Sequence, residues 1–319
     1  MDISSYFSAR ELVESLGQPM LILAFILSIG LLLFGLHPKL QGRIQWLLLA
    51  IFLVLLAGYG LLAWFHVQIY NFLPLKDPSS GTIFGRYMIP PWIENEKLYF
   101  WSLLTSIWLL FVRKKPVQFR AVVYSSLPIL LFLTLATSNP FQEPLGSFNQ
   151  QILGIEQVLN TQDAKTQGLV LYQASQMLKG FYNSAYMWMH PPLLFFSYSV
   201  FVIGFFGSLF MLFKREKEYD EFAYNWAKAG YTVLTLGLLI GYPWTVQAWK
   251  GQPWWFSPKV NVTIMMWVLY TAFLHTRVYL NRKGMWRTTA ILGVLSFSAV
   301  VVTYLGTYVL PGIHSVGGR

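Results

Sequence analysis

Residues 46–65 read WLLLAIFLVLLAGYGLLAWF, and this stretch has no charged side chain. A helix rises about 1.5 Å per residue, so about 20 apolar residues cross the roughly 30 Å hydrocarbon layer of a bilayer. The stretch therefore predicts a helix that spans a membrane.

The composition of the whole chain agrees with this prediction. Of its 319 residues only 11% are charged and 55% are hydrophobic, and the mean hydropathy is +0.49. Soluble domains have about 25% charged residues, so we predict an integral membrane protein. The chain has no cysteine, which excludes disulfides, thiolate metal sites, iron–sulfur clusters and dithiol redox chemistry. Any redox chemistry must come from a partner or a bound cofactor.

Apolar segments along the chain predict an all-α, polytopic helix bundle. We expect about eight transmembrane helices, at residues 18–36, 46–65, 98–112, 121–137, 191–213, 227–248, 261–280 and 288–310. Basic residues concentrate after the first, third and seventh segments: Lys39, Arg43, Arg113, Lys114, Lys115, Arg120, Arg277, Arg282, Lys283 and Arg287. By the positive-inside rule these loops are cytoplasmic and both termini lie outside. The net charge of +10 therefore reflects orientation in the membrane, and we predict no nucleic-acid partner.

The segments between the predicted helices suggest one membrane domain over residues 1–319. Two parts of it should lie outside the membrane: an external segment at 138–190 and an external tryptophan-rich loop at 242–260. Scattered apolar residues at 150–180 predict short helices that lie on the bundle. The N-terminus has no basic region before an apolar core, so we expect no cleaved signal peptide.

Three of the five histidines occupy informative depths. His190 precedes Pro191 and Pro192, which suit a first helical turn, and this places His190 at the external end of the fifth segment. His314 follows the last segment and is also external. His275 ends the seventh segment near the cytoplasmic side, where an ionisable group is either a functional residue or an interfacial one. We interpret His37 and His66 as interfacial polar residues.

The sequence between the two outer histidines includes a dense aromatic group, namely Tyr242, Trp244, Trp249, Trp254, Trp255 and Phe256. Lys250 and Lys259 flank the tryptophans, and no Asp or Glu occurs from Phe222 to the end, which disfavours a hard cation such as calcium. Indole rings, ammonium groups and two imidazoles suit a flat anionic ligand with a central iron, which predicts haem. An ordinary aromatic belt at the membrane interface is the alternative. Gly237 and Gly241 have the spacing of close helix packing.

Four blocks of the chain carry a family resemblance: YMIPPWIENEKLYFW at 87–101, TSNPF at 137–141, MWMHPPLLFFSYSVF at 187–201, and WVLYTAFLHTR at 267–277 with YLGTYVLPGIHSVG at 304–317. They resemble the haem-handling proteins of cytochrome c biogenesis, the tryptophan-rich WWD family that contains CcmF, CcmC and CcsA. The resemblance covers roughly residues 66–319. It departs from the family in the tryptophan-rich loop, where Ser257 stands at the family's Asp position and Val260 at the following acidic position.

The resemblance implies a haem site at the outer face of the membrane. His190 and His314 would be the axial ligands of a non-covalent, b-type haem. The further haem-binding residues would be Trp249, Trp254, Trp255, Lys250 and Lys259. His275 would match an intramembrane histidine of a second haem site, with His37 as its candidate partner by depth.

The resemblance also implies a function. The chain would bind haem and deliver it for covalent attachment to the CxxCH cysteines of apocytochrome c, as a component of a cytochrome c synthase with a partner membrane subunit. No catalytic residue is assigned. The membrane would be the bacterial inner membrane or its organellar equivalent. A second hypothesis, which the missing Asp favours, is a haem-binding or structural subunit of a larger membrane complex without synthase activity. A b-type electron carrier and a transporter are further alternatives.

Overall fold

The computed structural model describes residues 3–76, 83–161, 184–248, 253, 255, 257–279 and 285–309. Its helices are α1 (Ile3–Leu36), α2 (Ile44–Phe72), α3 (Glu96–Val112), α4 (Val117–Tyr124), α5 (Ser126–Thr137), α6 (Gly146–Thr161), α7 (Tyr186–Lys214), α8 (Lys217–Ala248), α9 (Pro258–Thr276) and α10 (Met285–Val309). Short 3-10 helices occur at Pro38–Arg43 and Arg277–Tyr279. A small antiparallel hairpin, β1 (Pro74–Lys76) and β2 (Ile83–Arg86), was not predicted.

The predicted helical membrane architecture is confirmed. Five helical stretches of the described chain are long and apolar enough to cross a membrane: Ser4–Leu36, Ile44–Phe72, Val117–Thr137, Tyr186–Lys214 and Met285–Gly306. The third of these combines α4 and α5. The other three predicted spans coincide with α3, α8 and α9, which do not reach those limits of length and hydropathy. A total of eight spans, with both termini outside, stays a prediction.

Two helices begin well before the apolar segments that predicted them. Helix α1 starts at Ile3 and not near residue 18, and its first turns are polar but packed: Tyr6 is fully buried and its hydroxyl donates to Asn149 Oδ1 at 3.1 Å. Helix α8 starts at Lys217 and not near residue 227, with acidic residues in its first turn that suit the positive end of the helix dipole. Hydropathy locates the apolar part of a helix and misses such polar turns.

The start of α7 also differs from the prediction. Because α7 begins at Tyr186, Pro191 and Pro192 lie in its second turn and not in its first. Pro191 has no N–H, so the Met187 carbonyl loses its usual helical donor. The indole N–H of Trp92 donates to that carbonyl at 2.8 Å. Trp92, which is 95 residues earlier in the sequence, therefore replaces the helical hydrogen bond that Pro191 removes.

The chain divides into two compact units, each described here by itself. Unit 1 comprises Met1–Ile29, Leu49–Leu103 and Pro128–Trp188. Unit 2 comprises Gly30–Leu48, Leu104–Leu127 and Met189–Arg319. The single domain over residues 1–319 stays a prediction. Residues 242–248 of the predicted tryptophan-rich loop are the last residues of α8.

Unit 1 is held together by close contacts between its helices. The Tyr99 hydroxyl of α3 donates to the Leu55 carbonyl of α2 at 2.9 Å, and both side chains are fully buried. Gly58, three residues further along α2, lies directly against that hydroxyl, so a side chain there would collide with Tyr99. Glycine thus permits the close approach of α2 and α3.

Candidate functional site

The first candidate ligand, His190, is fixed by a backbone carbonyl in unit 2. Its Nδ1 lies 2.8 Å from the carbonyl oxygen of Gly237 in α8. A carbonyl oxygen can only accept, so Nδ1 carries the proton and donates, and the lone pair lies on Nε2. Within the part of the chain that the structure describes, no hydrogen bond to Nε2 is found. This tautomer is the one that a histidine ligand of a metal ion normally adopts.

Two glycines of α8 make this hydrogen bond geometrically feasible. A Cβ atom at Gly241 would lie 2.5 Å from both Cε1 and Nδ1 of His190, and a Cβ at Gly237 would lie 3.1 Å from a methyl carbon of Leu194. Close packing of α8 was predicted from the spacing of these glycines and is confirmed. The structure adds that the neighbour is α7, and that Gly241 makes room for the imidazole itself.

The opening turn of α9 brings a cation near His190. Lys259 is half-buried in this turn and lies within range of an electrostatic interaction with His190. Pro258 is the first residue of α9, after Ser257 as its N-cap. Trp255 lies just before this helix and is 53% exposed. The predicted site residues Trp249, Lys250, Trp254 and His314 lie outside the described residues.

Polar and aromatic contacts fix α9 against α7 and α8. The Tyr231 hydroxyl of α8 lies 2.8 Å from Thr271 Oγ1 of α9, and the Trp267 indole donates to Thr235 Oγ1 at 3.0 Å. The Tyr270 ring stacks on Phe201 of α7 with 3.7 Å between the ring centroids. These contacts pack α9, which carries Lys259, against α8 and against α7, which carries His190.

His275 occupies a different place in unit 2. It lies sixteen residues after Lys259 on α9, which corresponds to about 24 Å along the helix axis. Its Nδ1 is 2.8 Å from the Thr271 carbonyl, and the side chain is exposed. The structure therefore does not bring His275 together with His190. His37 is exposed at the end of α1.

His66 is the histidine that the sequence interpretation placed wrongly. It is only 5% exposed and lies inside unit 1, so it is not an interfacial residue. Its Nδ1 is 2.8 Å from the Ile89 carbonyl, and its Nε2 is 3.8 Å from Glu96 Oε1. The pattern of neighbouring apolar residues could have indicated burial, but not the pairing, because Glu96 belongs to the next helix.

Two buried carboxylates of unit 1 hold the beginning of α6. Glu96 Oε1 accepts the N–H of Leu145 at 2.9 Å, and Glu94 Oε2 accepts the N–H of Ser147 at 2.8 Å. Unpaired N–H groups at a helix start are well satisfied by negative charge. The acidic residues of the 87–101 block, which carries part of the family resemblance, are thus structural in unit 1.

Replacing Glu96 with Ala is expected to lower the free energy of unfolding by about 2–3 kcal/mol, because the buried Leu145 N–H loses its acceptor. Glu96→Gln keeps an acceptor oxygen and should lose less. Glu143→Ala, at an exposed position next to the same turn, should change stability by about 0.5 kcal/mol or less. Thermal unfolding of the full chain in detergent measures all three, and equal losses for Glu96→Ala and Glu143→Ala would contradict the capping role.

The described residues do not include a cluster of three or more His, Asp or Glu side chains that could hold a metal ion. The arrangement around His190 instead offers one imidazole nitrogen and one nearby ammonium group. An imidazole nitrogen can hold haem iron, and an ammonium group can pair with a haem propionate.

Comparison with known proteins shows which family this chain resembles. Residues 92–314 match the family model described as Cytochrome C assembly protein. The CcsA cytochrome c biogenesis protein of Prochlorococcus marinus (strain NATL2A) is 35% identical over 33% of each chain. The CcmF cytochrome c-type biogenesis protein of Escherichia coli (strain K12) is 29% identical over 70% of this chain and 33% of its own.

A solved structure has the same fold. The cytochrome c haem lyase CcmF superposes with a TM-score of 0.65 at 19% identity, over 93% of this chain and 47% of its own.

The match over more than half of the chain defines the class: this is an integral membrane protein of the cytochrome c assembly protein family. The family resemblance predicted from the sequence is confirmed, with CcsA and CcmF as the relatives. The matched part spans about a third of the length of the first curated relatives.

Proposed function

We propose that this chain binds haem at the outer face of the membrane and presents it to apocytochrome c during cytochrome c assembly. The observation that carries the proposal is the hydrogen bond between His190 Nδ1 and the Gly237 carbonyl, which leaves Nε2 with its lone pair for iron. The membrane would be a bacterial inner membrane or its organellar equivalent.

The remainder of the site follows from the sequence. His314 would be the second histidine that holds the iron, and Trp249, Trp254 and Trp255 would stack on the tetrapyrrole of a non-covalent b-type haem. Lys250 and Lys259 would pair with the propionates, and the position of Lys259 near His190 supports that role. His275 would serve a second haem site, with His37 as its candidate partner.

Haem supplies the two vinyl groups across which the cysteine S–H groups of a CxxCH motif add to form thioethers. The contribution of this chain is to bind and orient. His190 and His314 would hold the haem iron, the indoles of Trp249, Trp254 and Trp255 would pack against the ring, and Lys250 and Lys259 would pair with its propionates. No side chain of this protein needs to act as a nucleophile or a general base.

A second candidate is a haem-binding or structural subunit without synthase activity. Ser257 at the family's Asp position favours it. In that case the partner membrane subunit of the assembly system would provide the rest of the reaction.

Co-expression with an apocytochrome separates the two candidates. In a strain that lacks its own biogenesis system, the full chain with a CxxCH apocytochrome should give haem that stays attached after denaturation. The matched control is the same apocytochrome with both cysteines replaced by serine, which should yield none. Haem-loaded membrane protein without covalent cytochrome would favour the subunit hypothesis. Absence of haem from both proteins would overturn the proposal.

A further inference from the structure

Unit 2 contains a second site, formed by three chain connections far from His190. A cavity of about 950 Å³ lies between the ends of α1 and α2, α3 and α4, and α7 and α8. The positive-inside rule predicts that the α1–α2 and α3–α4 connections are cytoplasmic, and the alternation of the predicted spans puts the α7–α8 connection on the same side. The polar side chains that line the cavity are Gln45, Arg113, Lys114, Lys115, Arg120 and Glu218.

The lining of the cavity is strongly positive. Four cationic side chains face a single carboxylate, and Glu218 is already paired with Lys115 at 2.7 Å between Oε1 and Nζ. Helices α2 and α4 also begin at the cavity, with Ile44 and Val117 in its wall. Their positive dipole ends add to the field of the side chains.

Arg120 is a second, independent observation that favours an anionic ligand. It is 3% exposed, and its two terminal nitrogens donate to the carbonyl oxygens of Arg113 at 3.1 Å and Gly35 at 3.3 Å. Its Nε has no hydrogen-bond partner, and no carboxylate of the described chain forms an ion pair with it. A buried guanidinium without an anion is costly, so a ligand that carries negative charge would satisfy it.

The surroundings of the cavity favour a lipid over a small anion from solution. Trp46, which follows Gln45, is 65% exposed, and Phe111, two residues before Arg113, is 64% exposed. Apolar side chains of this exposure, beside basic residues at helix ends, suit the boundary between acyl chains and headgroups. Anionic lipids on the cytoplasmic leaflet attract such basic sites.

We propose that this cavity binds the phosphate of an anionic phospholipid from the leaflet on its own side of the membrane. Arg120 forms the buried floor of the site, and Arg113 and Lys114 close it from the exposed side. The acyl chains run along the apolar surface that includes Trp46 and Phe111.

Native mass spectrometry of the full chain in detergent tests this assignment. The probes are phosphatidylglycerol, zwitterionic phosphatidylcholine and inorganic phosphate. We expect phosphatidylglycerol to bind most tightly, and Arg113→Gln with Lys114→Gln to weaken it about tenfold or more. The matched control, Lys214→Gln with Arg287→Gln, removes two exposed cations that do not line the cavity and should leave the affinity within about twofold.

Each other outcome overturns the proposal. Equal losses in the two double variants would mean that net charge alone attracts the lipid. Equal affinity for phosphatidylcholine would show that no anion is recognised. Displacement of phosphatidylglycerol by millimolar phosphate would assign the site to a free anion. Arg120→Gln provides a second variant. If its melting temperature is unchanged, it should weaken phosphatidylglycerol binding more than Arg113→Gln does. If its melting temperature is lower, added phosphatidylglycerol should no longer raise that temperature.

Discussion

His190→Gly is expected to lower the affinity for haem about 100-fold, because a fixed imidazole ligand of the iron is lost. The absorbance spectrum of the remaining haem should change from low-spin to high-spin iron. Free imidazole added to this variant should restore the low-spin spectrum, because glycine leaves room for the ring. The haem-to-protein ratio of the purified full chain and its spectrum measure both effects.

Met189→Gly is the matched control, since Met189 precedes His190 in the same turn of α7, is 56% exposed and has no assigned role in haem binding. It should keep the external haem. The double variant His190→Ala with His314→Ala should lose that haem entirely. An unchanged haem content in the double variant would show that these two histidines are not the ligands, even if the family assignment is correct.

Gly241→Ala is expected to reduce haem occupancy about tenfold through the geometry of His190 alone. The new methyl carbon would lie 2.5 Å from His190 Cε1 and Nδ1, which is shorter than non-bonded contacts to a Cβ atom allow. The imidazole must therefore move, and its hydrogen bond to the Gly237 carbonyl is lost. Haem titration of the purified variant measures the effect.

The control for this second prediction is Gly30→Ala, because a Cβ at Gly30 meets no atom within 4 Å. It should bind haem as the parent does. In the His190→Gly background, Gly241→Ala should cause no further loss, since the ring that it displaces is absent. Additive losses in the double variant would mean that Gly241 acts on haem binding by another route.

The helical membrane fold could largely be predicted because its signal is local. A run such as residues 46–65 forms a helix when it lies in a membrane, since backbone groups in hydrocarbon need partners within the same segment. This signal did not predict the polar first turns of α1 and α8. Tyr6 is packed against distant parts of unit 1, and hydropathy along the chain does not register such contacts.

The candidate site could be predicted as a set of residue types, but not as a geometry. His190 was identified from its position before two prolines and from the family resemblance. Its tautomer depends on the Gly237 carbonyl, 47 residues later in the chain. His66 shows the limit most clearly, because its neighbour Glu96 is brought to it by the packing of α2 and α3.

The sequence by itself determined that this is a membrane protein, which family it belongs to and which residue types suit haem. These properties follow from composition, from runs of adjacent residues and from short motifs. Only the tertiary structure decided three features of the site and its surroundings. The Gly237 carbonyl orients His190, the Trp92 indole donates to the Met187 carbonyl that Pro191 leaves without a donor, and Arg120 is buried beside a cationic cavity. Each of these depends on atoms of separate helices that come within hydrogen-bonding distance only after packing, and spacing along a chain does not encode that distance.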